Sequence, residues 1–254
     1  MAGRPPRTIA TEAILLRRRP AGEADAILVL LTPEEGRVDA VVRGVRRPQA
    51  KLRGHVEPVT RSRLLLARGR SLDVVAQAQT VDAYLAIKAD LEALAAALYL
   101  CELVEQVAVA ETPQRELYSL LVEALAALDA GLAPDLVARY FELHLLAISG
   151  HELQVTACAS CGADLPEAEA LFSVAAGGIL CAQCRANVAG RLLSVRAQKV
   201  LRFARRAGLE AFCSLRIPSE TGAEIRTAIR EAIRSVLDTE PRSMRFLDRL
   251  TPSG

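Results

Sequence analysis

Between residues 8 and 81 the chain breaks into short apolar or alternating runs, and nothing else in it limits the fold so tightly. The runs are Ala13–Leu16, Ala26–Leu31, Val38–Val42, Arg63–Leu66 and Ser71–Gln77. Turn signals separate them: Pro20-Ala21-Gly22, Thr32-Pro33-Glu34-Glu35-Gly36, the Gly44–Gly54 loop and Arg68-Gly69-Arg70. Runs of this length bounded by Gly, Pro and acidic clusters predict strands. Five short strands in succession fit a small closed barrel. An OB-like barrel is the commonest five-stranded solution that also binds nucleic acids, and an SH3-like barrel fits the strand count nearly as well.

From Val81 the period becomes helical. Leu91, Leu94, Leu98 and Cys101 recur on one stripe, with Glu92, Glu102 and Glu105 off it. Thr112-Pro113-Gln114 predicts the start of a second helix to about Asp129, and Ala133-Pro134-Asp135 that of a third through Ser149, with Gly150 as its C-cap. Helical period returns over Ser194–Ala207 and Glu220–Asp238. The expected fold class is α+β: a barrel domain over 1–81, then a mostly helical domain over 82–254 interrupted by a cysteine-rich insertion over 155–190. No internal repeat is visible.

The net charge of +2 conceals a segregation. Residues 1–70 carry 15 Arg and Lys against 7 Asp and Glu, residues 71–157 carry 3 against 13, and residues 158–254 carry 14 against 10. The use of 29 Arg and only 3 Lys is a compositional habit, but it does not explain why the charges separate. Most of the N-terminal charge lies on and around Arg37–Gly54, which has a β-like hairpin pattern: Val38, Ala40 and Val42 alternate with Arg37, Asp39 and Arg43, and the turn adds Arg46, Arg47, Lys51 and Arg53. Such a module is expected to meet a polyanion. No Phe, Tyr or Trp occurs before residue 84. Binding should therefore rest on phosphate contacts, tolerate any sequence and accept duplex as well as single strand, without the aromatic stacking that single-strand binders use.

Cys158-Ala-Ser-Cys161 and Cys181-Ala-Gln-Cys184 are two CxxC knuckles separated by 19 residues. Each tight turn offers two thiolates, and the spacing suits a ribbon-type structural Zn2+ site. Disulfides, or a thioredoxin-like redox pair, are the alternatives. Four cysteines would close the coordination sphere, so the metal is not expected to be catalytic. Cys101 and Cys213 read as ordinary small buried residues. His151-Glu152 fits no zinc-hydrolase or deaminase motif, the three histidines are scattered, and no phosphate-binding loop or nucleophile elbow is present. No enzyme is read here. The N-terminus, with Arg4 and Arg7 and no apolar stretch after them, does not resemble a signal peptide. The longest uncharged run, Ala170–Cys184, is 15 residues, too short to span a bilayer, so a cytoplasmic protein is expected.

The run Gly22-Glu23-Ala24-Asp25 … Leu28-Val29-Leu30-Leu31-Thr32 … Glu35-Gly36-Arg37 … Val42-Arg43-Gly44-Val45-Arg46 … Leu52-Arg53-Gly54 … Glu57-Pro58 resembles the N-terminal signature of the RecO family of DNA repair and recombination mediators. The order of parts is similar too, with a CxxC pair inserted as in zinc-carrying members. Glu240-Pro241-Arg242-Ser243-Met244-Arg245-Phe246 resembles the family's closing K-S-R element with one extra residue. The resemblance implies an N-terminal OB-fold, binding of ssDNA and dsDNA, strand annealing, and joint action with RecR in loading RecA onto DNA covered by single-stranded DNA-binding protein. By position it would set Arg37, Arg43, Arg46, Arg47, Lys51 and Arg53 against DNA.

A second basic cluster suggests where a protein partner would sit. Lys199, Arg202, Arg205 and Arg206 share a helical face beside Phe203, suited to the acidic, apolar-ended C-terminal tail of single-stranded DNA-binding protein. A solvated helix face or a second DNA patch would produce the same pattern. Two rival classes also remain: a zinc-ribbon factor binding RNA, and a structural adaptor whose Arg-rich face binds acidic protein tails.

Overall fold

In the computed structural model, residues 8–237, 239 and 241–244 are described, and the chain divides into two compact units between Asp129 and Ala130. Arg4, Arg7, and the Glu240, Arg245 and Phe246 of the closing element lie outside the described residues.

The first unit opens with five strands: β1 (Thr8–Ala21), β2 (Asp25–Thr32), β3 (Gly36–Val42), β4 (Arg61–Ala67) and β5 (Asp73–Asp82). They close a barrel in the order β1-β2-β3-β5-β4, antiparallel except where β3 meets β5. The crossover from β3 to β4 and the parallel β3–β5 contact make the path Greek-key, the OB solution. Closure depends on β1, whose first half pairs with β4 (Thr8↔Ala67 to Ile14↔Arg61) and whose second half pairs with β2 (Ile14↔Leu31 to Ala21↔Asp25), with a bulge between Leu15 and Arg17. The strand therefore runs on through Arg17–Pro20, beyond the apolar run that predicted it, because backbone pairing does not require an apolar outer face.

Val38, Ala40 and Val42 point inward as their alternation predicts, joining Leu15, Leu28, Leu30, Leu64 and Leu66 in the barrel core. The expected hairpin over Arg37–Gly54 does not form. β3 pairs with β2 and β5, and residues 43–55 run as successive turns ending in a 3-10 turn at Arg53–His55. Gly44 and Pro48 supply turn conformations, and Pro48 has no N–H to give a returning strand.

Three helices complete this unit: α1 (Leu85–Ala89), α2 (Leu91–Val107) and α3 (Arg115–Asp129). α2 packs over β1 and β2, and α3 over β2. As a result Ile14, Val29 and Leu31, which alternate with the inward residues, are also fully buried. Only part of the expected α2 stripe faces inward: Cys101 is buried and Leu94 half-buried. Leu91 is 57% exposed and Leu98 36%, while Ala93, Ala96, Ala97, Leu100 and Val104 are buried. α2 is apolar nearly all round, and its alanine-rich side lets the helix come close to the strands. The strand-to-helix change follows the period change near residue 82, whereas the compact unit runs to Asp129 because α1–α3 pack with the barrel. The β2–β3 turn also docks onto the α2–α3 connection. Arg37 N donates to Val109 O at 3.0 Å, Gln114 N donates to Pro33 O at 3.0 Å, and a Cβ on Gly36 would lie 2.2 Å from Val109 O, so only glycine fits.

The second unit holds α4 (Pro134–Ile148), a three-stranded sheet of β6 (Ala170–Ser173), β7 (Gly178–Leu180) and β8 (Arg191–Leu193) in the order β7-β6-β8, then α5 (Val195–Arg206), α6 (Leu209–Cys213) and α7 (Ser219–Val236). Pro134 starts α4 and Gly150 follows its end as predicted, with His151 N donating to Leu146 O; Ser194, not singled out from the sequence as a cap, accepts from Ala197 N through its Oγ and starts α5. Phe141, Leu145, Leu201, Phe212, Ile225 and Ile229 are buried as α4 packs against α5, α6 and α7. Within it Arg139 and Glu142, 3% and 0% exposed, form an ion pair of 2.7 Å. No described helix is long and apolar enough to cross a membrane.

Candidate nucleic-acid interface and metal centre

The six cations singled out on the N-terminal module fall into two groups. Arg37 lies on β3, where its guanidinium pairs with Asp39 at 3.4 Å and donates to Glu105 O at 3.4 Å. Arg43, Arg46, Arg47, Lys51 and Arg53 are exposed on the β3–β4 loop. Arg46 is tied down at both ends, its N to Ala24 O and its Nη1 to Gly22 O, each at 2.9 Å. Asp25 Oδ1 accepts from Gly44 N at 2.7 Å. The β3–β4 loop is thereby pinned to the β1–β2 turn. Arg43, Arg47, Lys51 and Arg53 form no ion pair among the described residues. Several other cations of this unit are paired internally, Arg17 with Glu105, Arg19 with Asp39, Arg63 with Glu12, and Arg68 with Glu35 and Asp73, whereas Arg18, Arg61 and Arg70 form no ion pair among the described residues.

Arg43, Arg47 and Lys51 surround a shallow concavity of 240 Å³ completed by Gly44, Gln49, Ala50 and Leu52. Sequence reasoning missed Gln49 and Leu52 as parts of it. The available signal was the turn chemistry of Gly44 and Pro48, which folds residues 43–52 back on themselves. Arg37 was grouped with the loop cations because sequence separation does not show which carboxylates lie across a barrel.

The four cysteines come together. Their sulfurs all lie within 4.8 Å of one another, with Cys161 and Cys181 at 3.9 Å. A tetrahedral ion with metal–sulfur bonds of about 2.3 Å needs edges of about 3.8 Å, so the donor set fits one such ion. The knuckles are built by backbone bonds. Gly162 N donates to Cys158 O, Cys184 N to Cys181 O, and Ile179 N to Gln154 O. At Gly178 a Cβ would sit 2.2 Å from Gln154 O, so the two arms of the ribbon close only over glycine. The N–H groups of Cys181 and Cys161 pull the Cys158 thiol down to about 6, while hydrogen bonding to the Cys161 and Cys181 sulfurs pushes Cys184 up to about 12. Four sulfurs this close cannot all be thiolates without a cation among them. Cys101, outside the quartet, is buried and its thiol is pushed up to about 12 by burial.

The expected partner face on α5 is largely occupied. Arg202 Nε donates to Val155 O at 2.8 Å and its Nη2 to Gln198 Oε1 at 3.2 Å. Arg205 pairs with Glu152, and Lys199 with Glu167 at 2.9 Å. Buried Gln198 donates to Ala168 O at 2.9 Å and Leu193 O at 3.1 Å. These bonds fasten the cysteine-bearing insertion to α5. Phe203, 39% exposed, and Arg206 remain at the surface, and Arg206 has no ion pair among the described residues.

Comparison with known proteins divides the chain at the strand-to-helix change rather than at Asp129. Residues 7–84 match the family model "Recombination protein O N terminal" and residues 88–245 match "Recombination protein O C terminal". A DNA repair protein RecO of Roseiflexus sp. is 42% identical, over 95% of this chain and 86% of its own. One from Desulforudis audaxviator is 40% identical over 94% and 96%, and one from Dehalococcoides mccartyi 37% over 96% and 97%.

Proposed function

Since the chain belongs to the recombination protein O family of DNA repair proteins, we propose that it acts as a recombination mediator that binds ssDNA and dsDNA through their phosphates. It promotes annealing of complementary strands and, with RecR, loading of RecA onto ssDNA covered by single-stranded DNA-binding protein. The observation that carries this reading is the clustering of cations: Arg43, Arg47, Lys51 and Arg53, which form no ion pair among the described residues, gather on one loop of the barrel, while Arg17, Arg19, Arg37 and Arg68 are paired with carboxylates of their own unit. The usual strand face of the barrel is partly closed, since Val29 and Leu31 of β2 lie under helices. Nucleic acid is therefore received at the β3–β4 loop, whose lack of aromatics favours phosphate contact over base stacking. A surface that reads only phosphates can hold two strands of any sequence while they pair.

In this reading the cysteine quartet holds one structural zinc ion. Zinc suits four soft ligands in a closed tetrahedron, and when bound it joins the two knuckles without offering a position to water. Phe203 and Arg206 are the α5 residues left to meet the tail of single-stranded DNA-binding protein.

The test is a salt titration with DNA of unrelated sequences, single- and double-stranded, and with RNA as competitor. Neutralising roughly five phosphates should make log K fall against log salt with a slope of about −3 to −5 for every DNA. Affinity insensitive to salt would refute phosphate reading. Selective displacement by RNA would assign the chain to RNA instead.

A further inference from the structure

The loop cations are not evenly spread, and their arrangement is more specific than a sequence-blind patch requires. Arg43, Arg47 and Lys51 converge on one concavity of 240 Å³ with no carboxylate among its lining residues. Its walls are braced: Gly44 N is held by Asp25, Arg46 by the β1–β2 turn, and Leu52 packs against the barrel core. Successive turn bonds, Arg47 N to Gly44 O, Ala50 N to Arg47 O and Arg53 N to Ala50 O, each 3.1 Å, fix the intervening backbone. The backbone N–H groups of Gln49, Lys51 and Leu52 find no acceptor among the described residues. Three cations beside free donors exceed what one internal phosphodiester, with a single charge, would use. A terminal phosphate or a pyrophosphate carries at least one more charge and has more free oxygens to accept these donors.

Building on the DNA-binding reading, we propose that this concavity is a discrete subsite for a terminal phosphate dianion, whether at a phosphorylated DNA end or on a small phosphate compound. Arg47 and Arg43 supply guanidinium forks, and Lys51 a point charge. Along the rest of the loop, Arg53 continues the ordinary contacts to internal phosphates.

The experiment uses the full chain and two probes. Pyrophosphate is titrated directly by calorimetry, against sodium chloride at matched ionic strength. Separately, DNA oligonucleotides identical except for a 5′-phosphate or 5′-hydroxyl are compared by fluorescence anisotropy. Pyrophosphate should bind saturably where chloride does not, and R47A/K51A should abolish it. If the source is a DNA end, the 5′-phosphorylated strand should bind roughly fivefold more tightly, about what one exposed charge pair contributes. Saturable pyrophosphate binding with no difference between oligonucleotides supports the site and assigns it to a free phosphate compound. No binding beyond that of chloride together with equal oligonucleotides overturns it, as does phosphate preference surviving in R47A/K51A. Failure of DNA to bind at all would count against the DNA-binding reading, while calorimetry would still decide the subsite.

Discussion

Arg37 and Arg47 lie ten positions apart in a basic stretch and do different work. Arg37 spends its guanidinium on Asp39 and the Glu105 carbonyl, so Arg37→Ala should cost about 1 kcal/mol of stability through lost hydrogen bonds and leave the salt slope of DNA binding nearly unchanged. Arg47 has no ion pair among the described residues. Arg47→Ala should leave the melting temperature in place and make the slope shallower by about 0.7–0.9, the share of one phosphate. Thermal melting and salt-dependent binding of the two variants check this contrast; equal loss of slope in both would mean that the ion pairs of Arg37 open on DNA. The sequence showed that these residues were cations in a basic module. It did not show which were already paired, because Glu105 is 68 residues from Arg37 and only the fold brings them together.

At the scale of single elements, the strands and caps were legible wherever local chemistry decided them. Val38, Ala40 and Val42, Pro134 and Gly150 all behave as their residue types dictate. The α2 face was not legible, because a helix rich in Ala and Leu on most sides carries no strong contrast to orient it. Leu91→Gln should accordingly change stability by less than about 0.5 kcal/mol, whereas Leu100→Ala should cost about 2–5 kcal/mol, as denaturant melts would measure. The cysteine ribbon was legible from spacing, but its attachment to α5 was not: Arg202, Arg205 and Lys199 looked like an open basic face and serve mainly to hold the insertion. For the ribbon itself, Cys158→Ser/Cys181→Ser should abolish bound metal, measured by elemental analysis. At a free metal concentration about 1,000 times its Kd, the ion contributes about 4 kcal/mol, and the variant should lose that much while still binding DNA. Unchanged metal content would sink the site.

Across the whole molecule, charge is sorted by location: a loop of exposed cations without ion pairs on one unit, and on the other a basic helix already engaged with its own insertion. A labelled peptide with the acidic, apolar-ended tail should lose affinity with Phe203→Ala/Arg206→Glu. Arg202→Glu should instead loosen the insertion, seen as faster amide exchange over residues 152–170. If Phe203→Ala/Arg206→Glu binds the peptide normally, the partner site lies elsewhere.

The burial of Ile14, Val29 and Leu31 under α2 and α3 also determines where this protein can be cut. A barrel severed after residue 82 would leave those side chains bare, each forfeiting about 1.5–3 kcal/mol and contributing to a sticky outer wall. Such a fragment should precipitate on expression, while one ending at Asp129 should stay monodisperse by light scattering. The portable cassette, for fusion or for exchange between relatives, is a barrel together with its three-helix jacket.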